Sequence, residues 1–276
     1  MNAPARTRTI APAWPLYLAA FAIAAVVAGA VGEAFSGGSL AELGIPDPGA
    51  ATTVGLPALR GVAWLLMALA TGSFLLSAFL IAPKQTQEDL NGARLTVDGH
   101  LASRTGAHAS AGIALIGLVM IPLVLSDVSG QPLNTVLFEA AAWSQALDQV
   151  ADARVWLIVA AFAVVVAAFG YVATSWWSQV WLFLGAIVVV MPIALTGHSA
   201  TGGAHDFGTN SLIWHLVAML LWVGGLMALV AHALRRGPGL PAATQRYSRI
   251  ALFSILAMAV SGAVSYTHLR AHETRG

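Results

Sequence analysis

Seven long apolar runs lack Asp, Glu, Lys and Arg altogether, and no other feature of the sequence constrains the fold as strongly. They are Trp14–Gly32, Gly61–Ala82, Ala107–Ser126, Val155–Ala173, Val180–Thr196, Leu212–Leu234 and Ile250–Tyr266. A bilayer's hydrocarbon core is about 30 Å thick and takes roughly 20 apolar residues of helix to cross. Within hydrocarbon every backbone N–H and C=O must find its partner inside the segment, so each run is expected to be α-helical. The predicted fold class is therefore all-α: a polytopic membrane bundle of about seven transmembrane helices. Composition agrees, since 58% of the 276 residues are hydrophobic and 9% charged, where a soluble domain carries about 25% charged residues. The apolar surplus needs lipid as its solvent, so the bilayer is the first partner. A formal net charge of +1 without a basic block offers nucleic acid no electrostatic footprint. With no Cys, disulfides, thiolate metal ligands and cysteine nucleophiles are excluded.

Basic residues orient the bundle. With a cytoplasmic N-terminus, the cytoplasmic segments hold Arg6, Arg8, Lys84, Arg94, Arg104, Arg235, Arg236, Arg246 and Arg249. With the tail after residue 264 set aside, the outer segments then hold only Arg60 and Arg154, together with most of the acids: Glu33, Glu42, Asp47, Asp127, Glu139, Asp148, Asp152 and Asp206. The Gly- and Pro-rich outer loop 33–57 is expected to be irregular. In the outer loop 127–153, Leu137–Val150 is expected to form a short helix on the membrane surface. Residues 1–150 thus hold helices one to three with two outer loops, and residues 151–264 hold the other four. Residues 265–276 resemble translated adapter read-through, and the native chain is expected to continue differently after residue 264. That tail carries His268 and His272 at i, i+4.

Histidine is the only residue type inside the runs that titrates near neutral pH. His198, His205 and His215 surround the short outer connection between runs five and six, two of them flanking a Gly-rich loop and the third about a turn into run six. A connection this short brings two helix ends together and is expected to let three imidazoles converge. Neutral imidazole binds copper, zinc and iron, and thioether sulfur favours Cu(I). Met219 is four residues after His215 and shares its helical face, and Met191 lies two turns deeper than His198. The positive helix N-terminus is expected to keep His215 uncharged and free to coordinate. His108 and His232 fall near the cytoplasmic face and read as interfacial, with an exit site for an ion as the sharper alternative. His100 reads as solvated in a loop with Arg94, Asp98 and Arg104. Most Trp lie near run ends as an aromatic belt; Trp222 is mid-run beside Gly224-Gly225, where a neighbouring helix is expected to pack closely. No carboxylate pair lies in the runs, and Ser199 beside His198 lacks a Gly-x-Ser-x-Gly elbow, so no enzyme is expected.

The segment from His215 through Met219 to Trp222-Val-Gly224-Gly225, preceded by Thr196-Gly-His198-Ser and followed by Arg246-Tyr247-Ser248-Arg249 and Ser261-Gly262, resembles the copper resistance protein D family. The resemblance covers roughly residues 150–264. The earlier runs resemble, more loosely, an actinobacterial form fused to a cytochrome c oxidase assembly domain, which does not occur within these residues. The resemblance implies a multi-pass bacterial plasma-membrane protein for copper uptake or homeostasis. It implies His198 and His215 as membrane-edge histidines and Trp222, Gly224 and Gly225 as a packing motif; His205 rests on spacing alone. The partners it implies are the copper ion, an extracytoplasmic copper-binding protein and the oxidase assembly machinery. Two other readings stay open: a carrier of haem b held by His198 and His215, and an assembly module for cytochrome c oxidase in which the histidines are incidental.

Overall fold

A computed structural model describes residues 12–36, 47–81, 93–195 and 205–273. The chain forms α1 (Trp14–Ser36) and α2 (Ala50–Leu75), which widens into a π turn over Leu76–Leu80. Then follow α3 (Val97–Ser129), α4 (Leu133–Phe138), α5 (Ala140–Gln149), α6 (Ala151–Val172) and α7 (Trp176–Leu195). Next, α8 (His205–Met219) runs through a second π turn, Leu220–Gly224, into α9 (Gly225–Leu234). The last helix is α10 (Leu240–Glu273). The protein is an all-α, multi-pass membrane protein. Among the described residues, six stretches are long and apolar enough to cross a bilayer: Trp14–Phe35, Ala50–Leu80, Val97–Ser129, Ala151–Val172, Trp176–Ala194 and Ser211–Leu234. The seventh run of the sequence lies inside α10, which carries Arg246 and Arg249 and is not among these six.

Several helices begin earlier than hydropathy alone indicates, and the capping chemistry explains where. The loop expected to be irregular over 33–57 is helical from Ala50 onward. Gly49, at φ 87°, turns the chain into α2, the Asp47 carboxylate accepts its N–H at 2.8 Å, and its carbonyl accepts from Thr52 and Thr53. Buried Thr52 donates to Ser126 Oγ at 2.7 Å, and Ser126 donates to the Gln131 carbonyl at 2.6 Å, locking the start of α2 to the end of α3. Pro57 is accommodated because its ring lies where Gly32 of α1 has no side chain. Thr96 caps α3 by accepting the Gly99 N–H at 3.1 Å, so Asp98, His100 and Arg104 belong to a helix rather than to a loop. The helix expected over Leu137–Val150 is present as α5, Ala140–Gln149, while Leu137 and Phe138 end α4 and Glu139 between the two is extended. Residues 265–273 continue α10.

The centre of the bundle is α2 and α3. Burial reaches 78% and 72% of their apolar windows, against 6% for α1, which lies at the periphery. Lipid tails are as apolar as leucine, so helices in a membrane associate through close packing more than through exclusion of water. The tightest approach is between α2 and the second π turn: a Cβ on either Gly72 or Gly224 would collide with the other helix's backbone. The close packing expected at Gly224-Gly225 is present, with Gly225 against the Tyr247 ring. The last carbonyls of a helix lack intrahelical partners. At the end of α2 the Trp176 indole donates to the Ala78 carbonyl at 2.7 Å and Arg246 donates to that of Leu80 at 3.1 Å.

The two ends of the bundle differ in charge. Described residues at one end include Arg94, Arg104, Arg235, Arg236, Arg246 and Arg249 against Asp98; the other end carries Glu33, Asp47, Asp127, Glu139, Asp148 and Asp152. Two basic residues at the acidic end are engaged. Arg60 pairs with Asp152 at 2.6 Å, and Arg154 donates to the Asp148 carbonyl at the end of α5, at 2.8 Å.

Candidate functional site

At the acidic end α8 lies against α10. Ser211 donates to the Ser261 carbonyl at 2.8 Å, Ser261 Oγ donates to the Met258 carbonyl at 3.1 Å, and His215 Nδ1 lies 3.2 Å from Ser261 Oγ. With the Ser261 hydrogen given to Met258, Ser261 Oγ is the acceptor and His215 Nδ1 the donor. That assigns the lone pair of the half-buried imidazole to Nε2, the arrangement of a histidine whose second nitrogen is held while the first coordinates. Met219 stands one turn deeper, half-buried and packed on the core. Met191 is half-buried in α7, beside Pro192.

The other predicted residues are placed differently. His198 lies outside the described residues. His205 opens α8 instead of flanking a free loop. At about 1.5 Å per residue the helix separates His205 from His215 by roughly 15 Å along its axis, which sets the two at different depths. The N-terminal dipole falls off within the first turn, so it acts at His205 and not at His215. Among the described residues, no group of three or more His, Cys, Asp or Glu lies close enough to hold a metal.

At the basic end His108 is exposed. Its Nδ1 meets the Arg104 carbonyl at 2.6 Å, and its ring packs edge-on to Tyr171, over which Arg104 also lies. It is an exposed residue with local partners. His232 is the opposite case, fully buried at the end of α9, with the Asp98 carboxylate 3.9 Å away.

Two partners escaped the sequence reading. Ser261 was visible only as part of a resemblance, and its role depends on α10 returning alongside α8. Asp98 carried no signal as a partner of His232, because they meet only when α3 and α9 are brought together.

A family model described as the copper resistance protein D-like, N-terminal domain matches residues 50–206. The match runs from the first residue of α2 to the first turn of α8. It includes Met191, His198 and His205 and stops short of His215 and Met219. Two uncharacterized proteins, one from Mycobacterium bovis and one from Mycobacterium tuberculosis, are each 28% identical to this chain over 184 residues, or 67% of it. That aligned stretch covers 27% of each relative, so the chain spans about a quarter of the length of the curated relatives it matches. No solved structure matches.

Proposed function

The chain belongs to the copper resistance protein D-like family, and from that premise we propose that it handles copper at a bacterial plasma membrane, in uptake or homeostasis. Copper is the cargo. His205 stands at the rim, His198 and His215 at the membrane edge, and Met219 and Met191 deeper, so that imidazole ligands give way to thioethers along the path inward. Softer sulfur ligands favour Cu(I), which gives that order a chemical direction. The observation that carries the reading is the geometry at His215: Nδ1 engaged by Ser261, Nε2 left as the coordinating nitrogen, and a methionine one turn below.

The same reading takes α10 as the seventh crossing and the basic end as cytoplasmic. In support, Ser261 lies level with Ser211 and His215. From Leu240 to Ser261 a helix rises about 31 Å, close to the hydrocarbon thickness of about 30 Å. The basic residues gather at the end assigned to the cytoplasm, as the positive-inside rule requires.

Purified protein titrated with copper is expected to lose bound ion when His198→Ala and His215→Ala are combined. Unchanged stoichiometry in the double variant would overturn the outer site. A Soret band in the same sample would replace it with the haem b carrier. Co-purification of oxidase subunits that survives loss of both histidines would point to the assembly module.

A further inference from the structure

His232 is completely buried at the last turn of α9, and the chain that follows is shaped around it. Arg236 takes a positive φ of 52°, the Gly237 N–H donates to the His232 carbonyl at 2.9 Å, and a Cβ on Gly237 would collide with the imidazole. The Pro238 carbonyl lies 3.2 Å from Nε2. A carbonyl can only accept, so Nε2 carries the hydrogen and Nδ1 the lone pair. Among the described residues that Nδ1 has no hydrogen-bond partner, and Oδ1 of Asp98 lies 3.9 Å away in the first turn of α3. Two acceptors thus confront each other with no donor between them, one of them wholly desolvated, and such an arrangement is unfavourable unless a cation lies in the gap.

The separation favours a metal ion over a proton. A proton shared between imidazole and carboxylate draws N and O to about 2.7–2.9 Å. A gap of 3.9 Å fits a metal lying nearly in line between the two ligands with bonds of about 2.0 Å each, the opposed placement found in a tetragonal ion and wider than a tetrahedral one allows. Donation of the second ring N–H to a backbone carbonyl is also how metal-binding histidines are oriented. We propose that His232 Nδ1 and the Asp98 carboxylate form a second metal site at the basic end of the bundle, for an ion such as Cu(II) that accepts mixed N and O ligands in opposed positions. The Asp98 side chain is 16% exposed, so water completes the coordination from that side. Two protein ligands hold an ion loosely. The choice of copper as the probe rests on the copper-handling reading; the site itself rests on the geometry.

The test uses the full chain in lipid nanodiscs, titrated with Cu(II) and followed by electron paramagnetic resonance. The background carries His198→Ala, His205→Ala, His215→Ala, His268→Ala and His272→Ala, which removes the outer cluster and the histidine pair in the tail. This background is expected to keep one Cu(II) with coupling to a single imidazole nitrogen. Adding His232→Gln is expected to abolish it, and Asp98→Asn, which removes a direct ligand, to weaken it by more than the roughly 10-fold that loss of an outer-shell partner costs. Should His232→Gln fail to fold, Asp98→Asn and Gly237→Ala, which displaces the ring, decide the matter by the same readout. The proposal falls if the background binds no Cu(II), if His232→Gln leaves the signal unchanged, or if a proton shared with Asp98 is found in place of a metal. Loss of outer binding with no effect of His232→Gln would spare the copper reading and sink this site. An effect of His232→Gln with no effect of the outer substitutions would do the reverse.

Discussion

Ser261 touches three groups at once: it accepts from His215, donates to Met258 and lends its carbonyl to Ser211. A residue that fixes a ligand's tautomer and ring orientation tunes affinity without touching the ion. Ser261→Ala is therefore expected to weaken copper binding at the outer site by about 10-fold or more while leaving the fold intact, as read by copper titration beside circular dichroism. An unchanged affinity would show that His215 is not a ligand through Nε2. The histidines and methionines were legible as candidates because their chemistry is a property of residue type. The serine was not, since a serine in an apolar run gains meaning only from what it faces.

At the scale of elements, the approach of α2 to the second π turn is the sharpest constraint. Backbone meets backbone at Gly72 and Gly224, so neither helix can turn a flexible side chain aside. Gly224→Ala is expected to destabilise by about 1–3 kcal/mol, as overpacking does in a tight core. Gly262→Ala, whose added methyl meets nothing within 4 Å, is expected to be neutral or slightly stabilising through helix propensity. Thermal denaturation of both variants in the same detergent checks the pair, and equal shifts would refute the packing argument. The Gly224-Gly225 doublet signalled a close neighbour, but not which helix that neighbour would be. The helical start at Ala50 was missed for a related reason. Gly and Pro between 33 and 57 read locally as loop, whereas the Thr52–Ser126 hydrogen bond and the fit of Pro57 against Gly32 are tertiary.

For the whole molecule, the charge difference between the two ends makes a direct prediction. The chain has no cysteine, so a single introduced thiol reports its own side of the membrane. With whole cells, Asn134→Cys, in the first turn of α4, is expected to react with a membrane-impermeant maleimide. Gln245→Cys, in the first turns of α10, is expected to react only after permeabilisation. The opposite pattern would invert the topology. The Arg60–Asp152 pair, 42% and 43% exposed, contributes about 0–1 kcal/mol; charge at the outer end therefore bears more on orientation than on stability.

Sequence alone determined that this is a membrane-spanning helical protein, which segments are basic, and which residue types it offers as candidate ligands. These are one-dimensional properties: hydrocarbon requires backbone groups to be satisfied within each segment, so apolar runs become helices whatever their neighbours. Tertiary structure alone decided that His215 meets Ser261, that His232 meets Asp98 and that Gly72 meets Gly224. Lipid makes every apolar face nearly equivalent, so the pairing of helices depends on small local fits and a few polar contacts. Those fits exist only once distant segments lie side by side.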